Sequence, residues 1–196
     1  FMFRGHVRDV TFHDAIKFLY SNPQESMKIL EALTEVSIEY VRNQSKHGIE
    51  CFQLFETYSG LIPEQMYIDK ILPLSKKILN EARNNGLPTI FFPKGLGNGL
   101  SYITKDVCDF LSVDWQMNLK HARKIISRDI GIQGNIDPRI LYSSYNDIEV
   151  YLSTLKSFGE KNNNWIINLG HGFLPDIDYK KAKFVVEWIK ETNWKR

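Results

Sequence analysis

The chain has 196 residues, which is long enough for one domain with a sizeable hydrophobic core. Hydrophobic residues make up 43% and charged residues 24% of the sequence, the mixture of a soluble globular protein, which excludes a disordered one. The formal net charge of +2 does not favour nucleic acid as the main partner, and no apolar run approaches the ~20 residues of a membrane span. The sequence therefore predicts a single domain over residues 1–196 that works without nucleic acid or a membrane.

Two helices are predicted near the start of the chain. The first spans "TFHDAIKFLYS", and Asn22-Pro23 opens a longer one, because proline is favoured in the first turn of a helix. Four apolar residues of the longer helix recur at helical spacing and predict one buried face: Ile29, Leu33, Val36 and Tyr40.

From residue 50 onward, strands and helices alternate. Short apolar runs predict five strands, at residues 50–55, 89–92, 110–113, 130–133 and 165–169. Helical patterns lie between or after them, at about residues 63–85, 118–127, 147–158 and 179–192. Alternation of this kind predicts a parallel α/β sheet, either open and doubly wound or closed as a barrel.

Each predicted strand ends in polar or glycine residues. In parallel sheets, binding and catalytic groups collect at the carboxyl ends of the strands, so a shared pocket at that edge is the leading hypothesis. The residues concerned are Glu56-Thr57, Lys94-Gly95, Asp114, Gln133–Asn135 and His171.

Individual residues at these strand ends have two interpretations each. His171 lies between two glycines, and it is either a substrate-facing imidazole or a loop histidine bonded to its own backbone. The Thr57 hydroxyl either donates to a bound carboxylate or completes a turn, and chemistry alone favours the turn. Lys94 either attracts an anionic substrate or is a solvated lysine. Asp114 and Asp137 either act as acids or bases or cap the turns that follow them.

The two cysteines, Cys51 and Cys108, each lie in or near a predicted strand. We expect both to be buried, reduced thiols of a cytoplasmic protein. A disulfide or a metal site is the less favoured alternative.

Several short motifs then point to a known family. The segments are "FETYSG" (55–60), "FFPKGLG" (91–97), "DW" (114–115), "QGNIDPRIL" (133–141) and "NLGHGFLPD" (168–176). In this order and spacing they resemble uroporphyrinogen decarboxylase, and the resemblance runs from about Phe12 to the end. The combination of the last two motifs at this separation is highly specific.

The resemblance implies a TIM-type (β/α)8 barrel that needs neither a cofactor nor a metal. It also implies stepwise decarboxylation of the acetate side chains of uroporphyrinogen, an anionic tetrapyrrole, to give coproporphyrinogen in porphyrin and haem biosynthesis. Full-length members often form homodimers. By resemblance, His171 matches the substrate-facing histidine of the family, and Thr57 matches its substrate-contacting hydroxyl, which is usually a serine.

Two departures from the family limit what can be carried over. The position of the family's pocket tyrosine falls on Phe3, which has no hydroxyl, so Phe3 is not assigned. The family's arginine-containing loop and pyrrole-binding aspartate have no match here, so the catalytic residues stay unassigned. Because the sequence supplies about five of the eight βα units, we expect it to be the C-terminal portion of a decarboxylase.

Two alternatives remain open at this stage. The first is a truncated or degenerate half-barrel that binds a tetrapyrrole or a partner protein without turnover. The second, less favoured, is a zinc- and cobalamin-linked methyltransferase, which would need His and Cys ligands at strand ends. The "PKGLG" loop has neither residue, and the loop around His171 has no cysteine.

Overall fold

The computed structural model describes residues 11–194, so Phe3 lies outside the described residues. The helices are α1 (His13–Ser21), α2 (Pro23–Lys46), α3 (Glu64–Met66), α4 (Leu72–Asn84), α5 (Leu119–Ile125), α6 (Tyr145–Gly159) and α7 (Tyr179–Glu191). The strands are β1 (Phe52–Glu56), β2 (Thr89–Pro93), β3 (Phe110–Ser112), β4 (Gly131–Gln133) and β5 (Trp165–Ile166). A π-helical turn, Tyr67–Ile71, joins α3 to α4, and short 3₁₀ turns follow β1, β2 and β4.

The five strands form one parallel sheet in the order β1-β2-β3-β4-β5. Each strand pairs with the next in sequence, as expected when helices connect parallel neighbours. The prediction of an α/β fold with about five βα units is therefore confirmed. The last strand is shorter than predicted, although beyond it Leu169 still bridges to Ile136 in the parallel sense.

Alternation along β1 separates the two faces of the sheet. Phe52 and Leu54 join the main hydrophobic core between the sheet and the helices, which also contains Phe91 and Leu111 from the neighbouring strands. The residues between them, Gln53 and Phe55, point to the opposite face. A strand buried only on its helix side leaves that second face available for a binding site.

The predicted buried face of α2 is wrong for three of its four residues. Leu33, Val36 and Tyr40 are 40%, 68% and 64% exposed. The buried residues of α2 are Ser26, Thr34, Ile38 and Val41. The helix packs mainly against α4 through that other face, and the Thr34 hydroxyl is satisfied there by donating to the Leu30 carbonyl at 2.8 Å.

The two cysteines differ in their surroundings. Cys108 is fully buried, as predicted, and burial raises the pKa of its thiol to about 12. Cys51 is exposed, so the prediction that it is buried is wrong. It directly precedes β1, which is an edge strand of the described sheet. None of the helices in residues 11–194 has both the length and the apolar character to cross a bilayer.

Candidate substrate-binding site

A cavity of about 490 Å³ opens at the carboxyl ends of the strands, on the face opposite the main core. We call it the strand-end cavity. Alternate residues of β1 and its extension, Gln53, Phe55 and Thr57, form one wall, and residues 168–173 form another. Phe92 of β2 and Ser112 of β3 also line it. The same two-residue periodicity that fills the core therefore places a mixed apolar and polar set of side chains around this space.

Thr57 and His171, the two residues predicted to contact substrate, line this same cavity. They are far apart in the sequence, since one follows the first strand and the other follows the last. The parallel sheet brings both loops to one edge, as the strand-end hypothesis predicted. Their contact with a substrate stays a prediction.

The imidazole of His171 is held in a defined state. The Gly172 N–H donates to His171 Nδ1 at 2.7 Å, so the neutral ring carries its proton on Nε2. Burial lowers the pKa of His171, and the positive charge of Lys94 lowers it further, whereas Asp114 opposes both effects. The ring is therefore neutral near pH 7 and can donate a hydrogen bond through Nε2. The two interpretations of His171 are thus compatible, because Nδ1 bonds to the local backbone while Nε2 can contact a ligand.

The two glycines beside His171 have different roles. A Cβ at Gly170 would lie 2.4 Å from the Trp115 backbone nitrogen and 3.0 Å from the Asp114 carbonyl carbon. Only glycine allows the two strand-end loops to approach this closely. A Cβ at Gly172 would meet nothing within 4 Å. Gly170, rather than Gly172, is the residue that fixes where His171 lies.

The indole ring of Trp115 lies close to His171 and to two cationic side chains. The centres of the indole and imidazole rings lie 5.7 Å apart. Lys94 Nζ lies 5.3 Å from the Trp115 ring centre, and the Arg139 guanidinium carbon lies 5.9 Å from it. Both distances are in the range of cation–π attraction. Both cations therefore lie beside Trp115, and Lys94 is the one whose charge acts on His171.

The two aspartates at the strand ends act as caps. The Asp114 carboxylate accepts from the Gly95 N–H at 2.7 Å and from the Gln116 N–H at 2.9 Å. The Asp137 carboxylate accepts from the Arg139 N–H at 3.0 Å and pairs with its guanidinium at 2.7 Å. Neither carboxylate lines the strand-end cavity. Of the two interpretations of the aspartates, the structure supports capping.

Sequence reasoning named Gln133 among the strand-end residues but missed its partners Gln53 and Ser112, which line the cavity. Gln133 Nε2 donates to Ser112 Oγ at 3.2 Å and to Gln53 Oε1 at 3.4 Å. These three residues come from β4, β3 and β1, so the contacts run across the inner face of the sheet. The signal was present, because each lies on its strand at a position that alternates with a core residue.

Glu56 lies beside Thr57 but faces the helices. Its carboxylate accepts from the Ser75 hydroxyl at 2.7 Å, and burial raises its pKa. Strand alternation therefore separates two neighbouring polar residues: Thr57 reaches the cavity, whereas Glu56 ties the end of β1 to α4. In the described part of the chain, no group of three or more His, Cys, Asp and Glu side chains is placed to hold a metal ion.

Comparison with known proteins places the chain in a family. The family model described as uroporphyrinogen decarboxylase matches residues 2–192. A uroporphyrinogen decarboxylase of Francisella tularensis subsp. novicida is 34% identical over 185 residues, covering 93% of this chain and 54% of the relative. That of Geobacter sp. strain M21 is 31% identical over 179 residues, covering 91% and 52%. The chain belongs to the uroporphyrinogen decarboxylase family.

The fold is shared with a solved structure of low sequence similarity. A methyltransferase from Methanosarcina mazei has a TM-score of 0.73 and 16% identity, with 91% of this chain and 53% of that one covered. At this identity the likeness supports the fold alone. The chain spans about half the length of the curated relatives it matches, in agreement with the expectation that it corresponds to part of the family's barrel.

Proposed function

We propose that this chain supplies the C-terminal, substrate-contacting portion of a uroporphyrinogen decarboxylase. The protein would remove carbon dioxide stepwise from the acetate side chains of uroporphyrinogen and give coproporphyrinogen, without a cofactor. The observation that carries the proposal is that Thr57 and His171, matched to the family's substrate contacts, line one strand-end cavity. Family membership over residues 2–192 supports the assignment of the reaction.

The proposed chemistry asks the protein to bind and orient an anionic macrocycle. Protonation of a pyrrole ring carbon lets the ring accept the electrons of the breaking carbon–carbon bond, so no external electron acceptor is required. In this scheme the Thr57 hydroxyl and His171 Nε2–H donate to substrate oxygen atoms. Lys94, beside Trp115, adds positive charge that attracts the substrate's carboxylates, whereas the charge of Arg139 is offset by its ion pair with Asp137.

The proposal extends to the organisation of the protein. We expect residues 1–196 to form one domain, the full-length protein to be a homodimer, and the site of action to be the cytoplasm. The remaining strands of the barrel would pair with β1 and β5, the two edges of the described sheet. The same addition would give the apolar stripe of α2, formed by Leu33, Val36 and Tyr40, a packing partner.

A second candidate is a half-barrel that binds a tetrapyrrole without turnover. The observation that favours it is that the face of the sheet opposite the main core is open to solvent. Phe55, which a closed barrel would cover, is 62% exposed among the described residues. Water can therefore reach the strand-end cavity, and water weakens the electrostatic interactions on which decarboxylation would depend.

An anaerobic assay with uroporphyrinogen separates the two candidates. Products are resolved by their number of carboxylates, and binding of the oxidised porphyrin is followed in parallel by fluorescence. Stepwise loss of carboxylates that falls about tenfold or more in His171→Ala, as expected for the loss of a hydrogen bond to a charged group, supports the decarboxylase. His47→Ala, which makes the same change at an exposed position at the end of α2 and away from the cavity, is the matched control.

Two results of this assay would count against the decarboxylase. Saturable porphyrin binding with no loss of carboxylates from the folded chain would favour the half-barrel. Neither binding nor turnover would contradict both candidates for this chain.

A further inference from the structure

A second group of positive charges lies between α5 and α6. It surrounds an open cavity of about 380 Å³, which we call the basic groove, and five cationic side chains line it: Lys120, Arg123, Lys124, Arg128 and Lys161. Arg128 precedes β4 and Lys161 precedes β5, so this part of the groove lies towards the amino-terminal ends of the strands. Thr57 and His171 lie at the opposite, carboxyl ends, so the basic groove is separate from the strand-end cavity.

Carboxylates compensate the charges of the basic groove only in part, through the field of Asp129 on Arg123. No Asp or Glu lines it, and within residues 11–194 none of its five cations forms an ion pair. The carboxylate of Asp129, next to Arg128 in sequence, accepts from the Ser127 hydroxyl. The other arginines within residues 11–194, Arg42, Arg83 and Arg139, each form an ion pair with a carboxylate. Like charges held together without counter-charges repel each other, so an anion that binds among them relieves that repulsion.

Arg123 fixes one of these charges in the protein. The residue is only 9% exposed, and its two terminal nitrogens donate at 2.9 Å to the carbonyls of Ile130 and Ile126. The second of them also donates to the Ser127 carbonyl. Its Nε is buried and has no acceptor among the described residues. A guanidinium keeps its charge under all ordinary conditions. The groove therefore has a permanent buried cation, surrounded by exposed lysines and Arg128.

We infer that the basic groove binds a small polyanion of the condensed-phosphate class, as free pyrophosphate or as the diphosphate group of an ester. A volume of about 380 Å³ suits a small ligand rather than a macrocycle. Lysine and arginine donors match phosphoryl oxygens, and the side chains of Ser157 and Asn162 add neutral polar groups to the lining. A nucleic acid is a poorer match, because the cations form one compact groove and the chain as a whole carries 23 acidic against 25 basic residues.

Calorimetric titration of the 196-residue chain with inorganic pyrophosphate, at constant ionic strength, tests this inference. Lys124→Gln combined with Lys161→Gln removes two charges from exposed positions of the groove. Lys180→Gln combined with Lys190→Gln makes the same change in net charge on exposed positions of α7. We expect the groove variant to bind about tenfold more weakly or worse, and the α7 variant to bind within roughly twofold of the original chain. The single variants are measured as well, and circular dichroism checks that each chain is folded.

Three outcomes would overturn the inference. The first is no saturable binding of pyrophosphate to the original chain. The second is an equal loss of affinity in the groove and α7 variants, which would reduce the effect to overall charge. The third is displacement of pyrophosphate by a single-stranded oligonucleotide that binds more tightly, which would assign the groove to nucleic acid. Weaker binding at higher salt, with the difference between the variants retained, supports it.

Discussion

Gly170→Ala tests whether close contact between two strand-end loops holds His171 in place. The new Cβ would lie 2.4 Å from the Trp115 nitrogen, whereas ordinary van der Waals contact begins at 3.4 Å. Backbone on one side or the other must therefore move by about 1 Å, and overpacking of this kind costs about 1–3 kcal/mol. For a chain of this size, a loss of about 2 kcal/mol lowers the melting temperature by roughly 4–8 °C.

The assay is thermal unfolding followed by circular dichroism, with Gly172→Ala as the control. A Cβ at Gly172 meets nothing within 4 Å, so we expect its melting temperature to change little or to rise slightly through the lower entropy of the unfolded chain. The His171 imidazole signals in an NMR spectrum should shift more in Gly170→Ala than in Gly172→Ala, where only the residue next to His171 changes. Equal melting temperatures for the two variants would refute the argument that the loops must touch at Gly170.

Three further predictions follow from individual contacts. Lys94→Gln removes a positive neighbour of His171, so the pKa of His171 should rise towards its ordinary value in an NMR titration; an unchanged pKa would place Lys94 outside its field. Cys51 is exposed and should react with Ellman's reagent in the native protein, whereas Cys108 should react only after unfolding. Mass spectrometry of labelled peptides identifies which cysteine reacts first, and earlier labelling of Cys108 would contradict the prediction. Asn118→Ala removes the side-chain cap of α5 and should lower the unfolding free energy by about 1 kcal/mol in urea, whereas no loss would mean that the cap is not used.

The sequence predicted the order of elements because its signals were local. Alternation of short apolar runs with helical patterns is enough to indicate a parallel α/β sheet, and the polar residues after each run mark its functional edge. The pairing of Thr57 with His171 in one cavity followed from that edge. Resemblance to a family supplied the chemistry, which neither residue type could have indicated alone.

The predictions that were wrong depended on contacts between distant elements. Helical spacing along α2 identified a helix, but the apolar stripe at Val36 and Tyr40 faces outward, and Thr34 is buried instead. A threonine can replace an apolar residue in the core when its hydroxyl bonds to its own helix, as Thr34 does. Cys51 was misjudged for a related reason, since a strand at the edge of a sheet lacks a neighbour to cover it.

A double-mutant cycle in porphyrin binding tests the central claim most directly. The dissociation constant of uroporphyrin is measured by fluorescence for the original chain, Thr57→Val, His171→Ala and the double variant. If both side chains contact one ligand in the strand-end cavity, their effects should be coupled by about 0.5 kcal/mol or more. Weaker binding in both single variants with such a coupling is the predicted result. Additive effects, or binding that neither change alters, would contradict a shared substrate site.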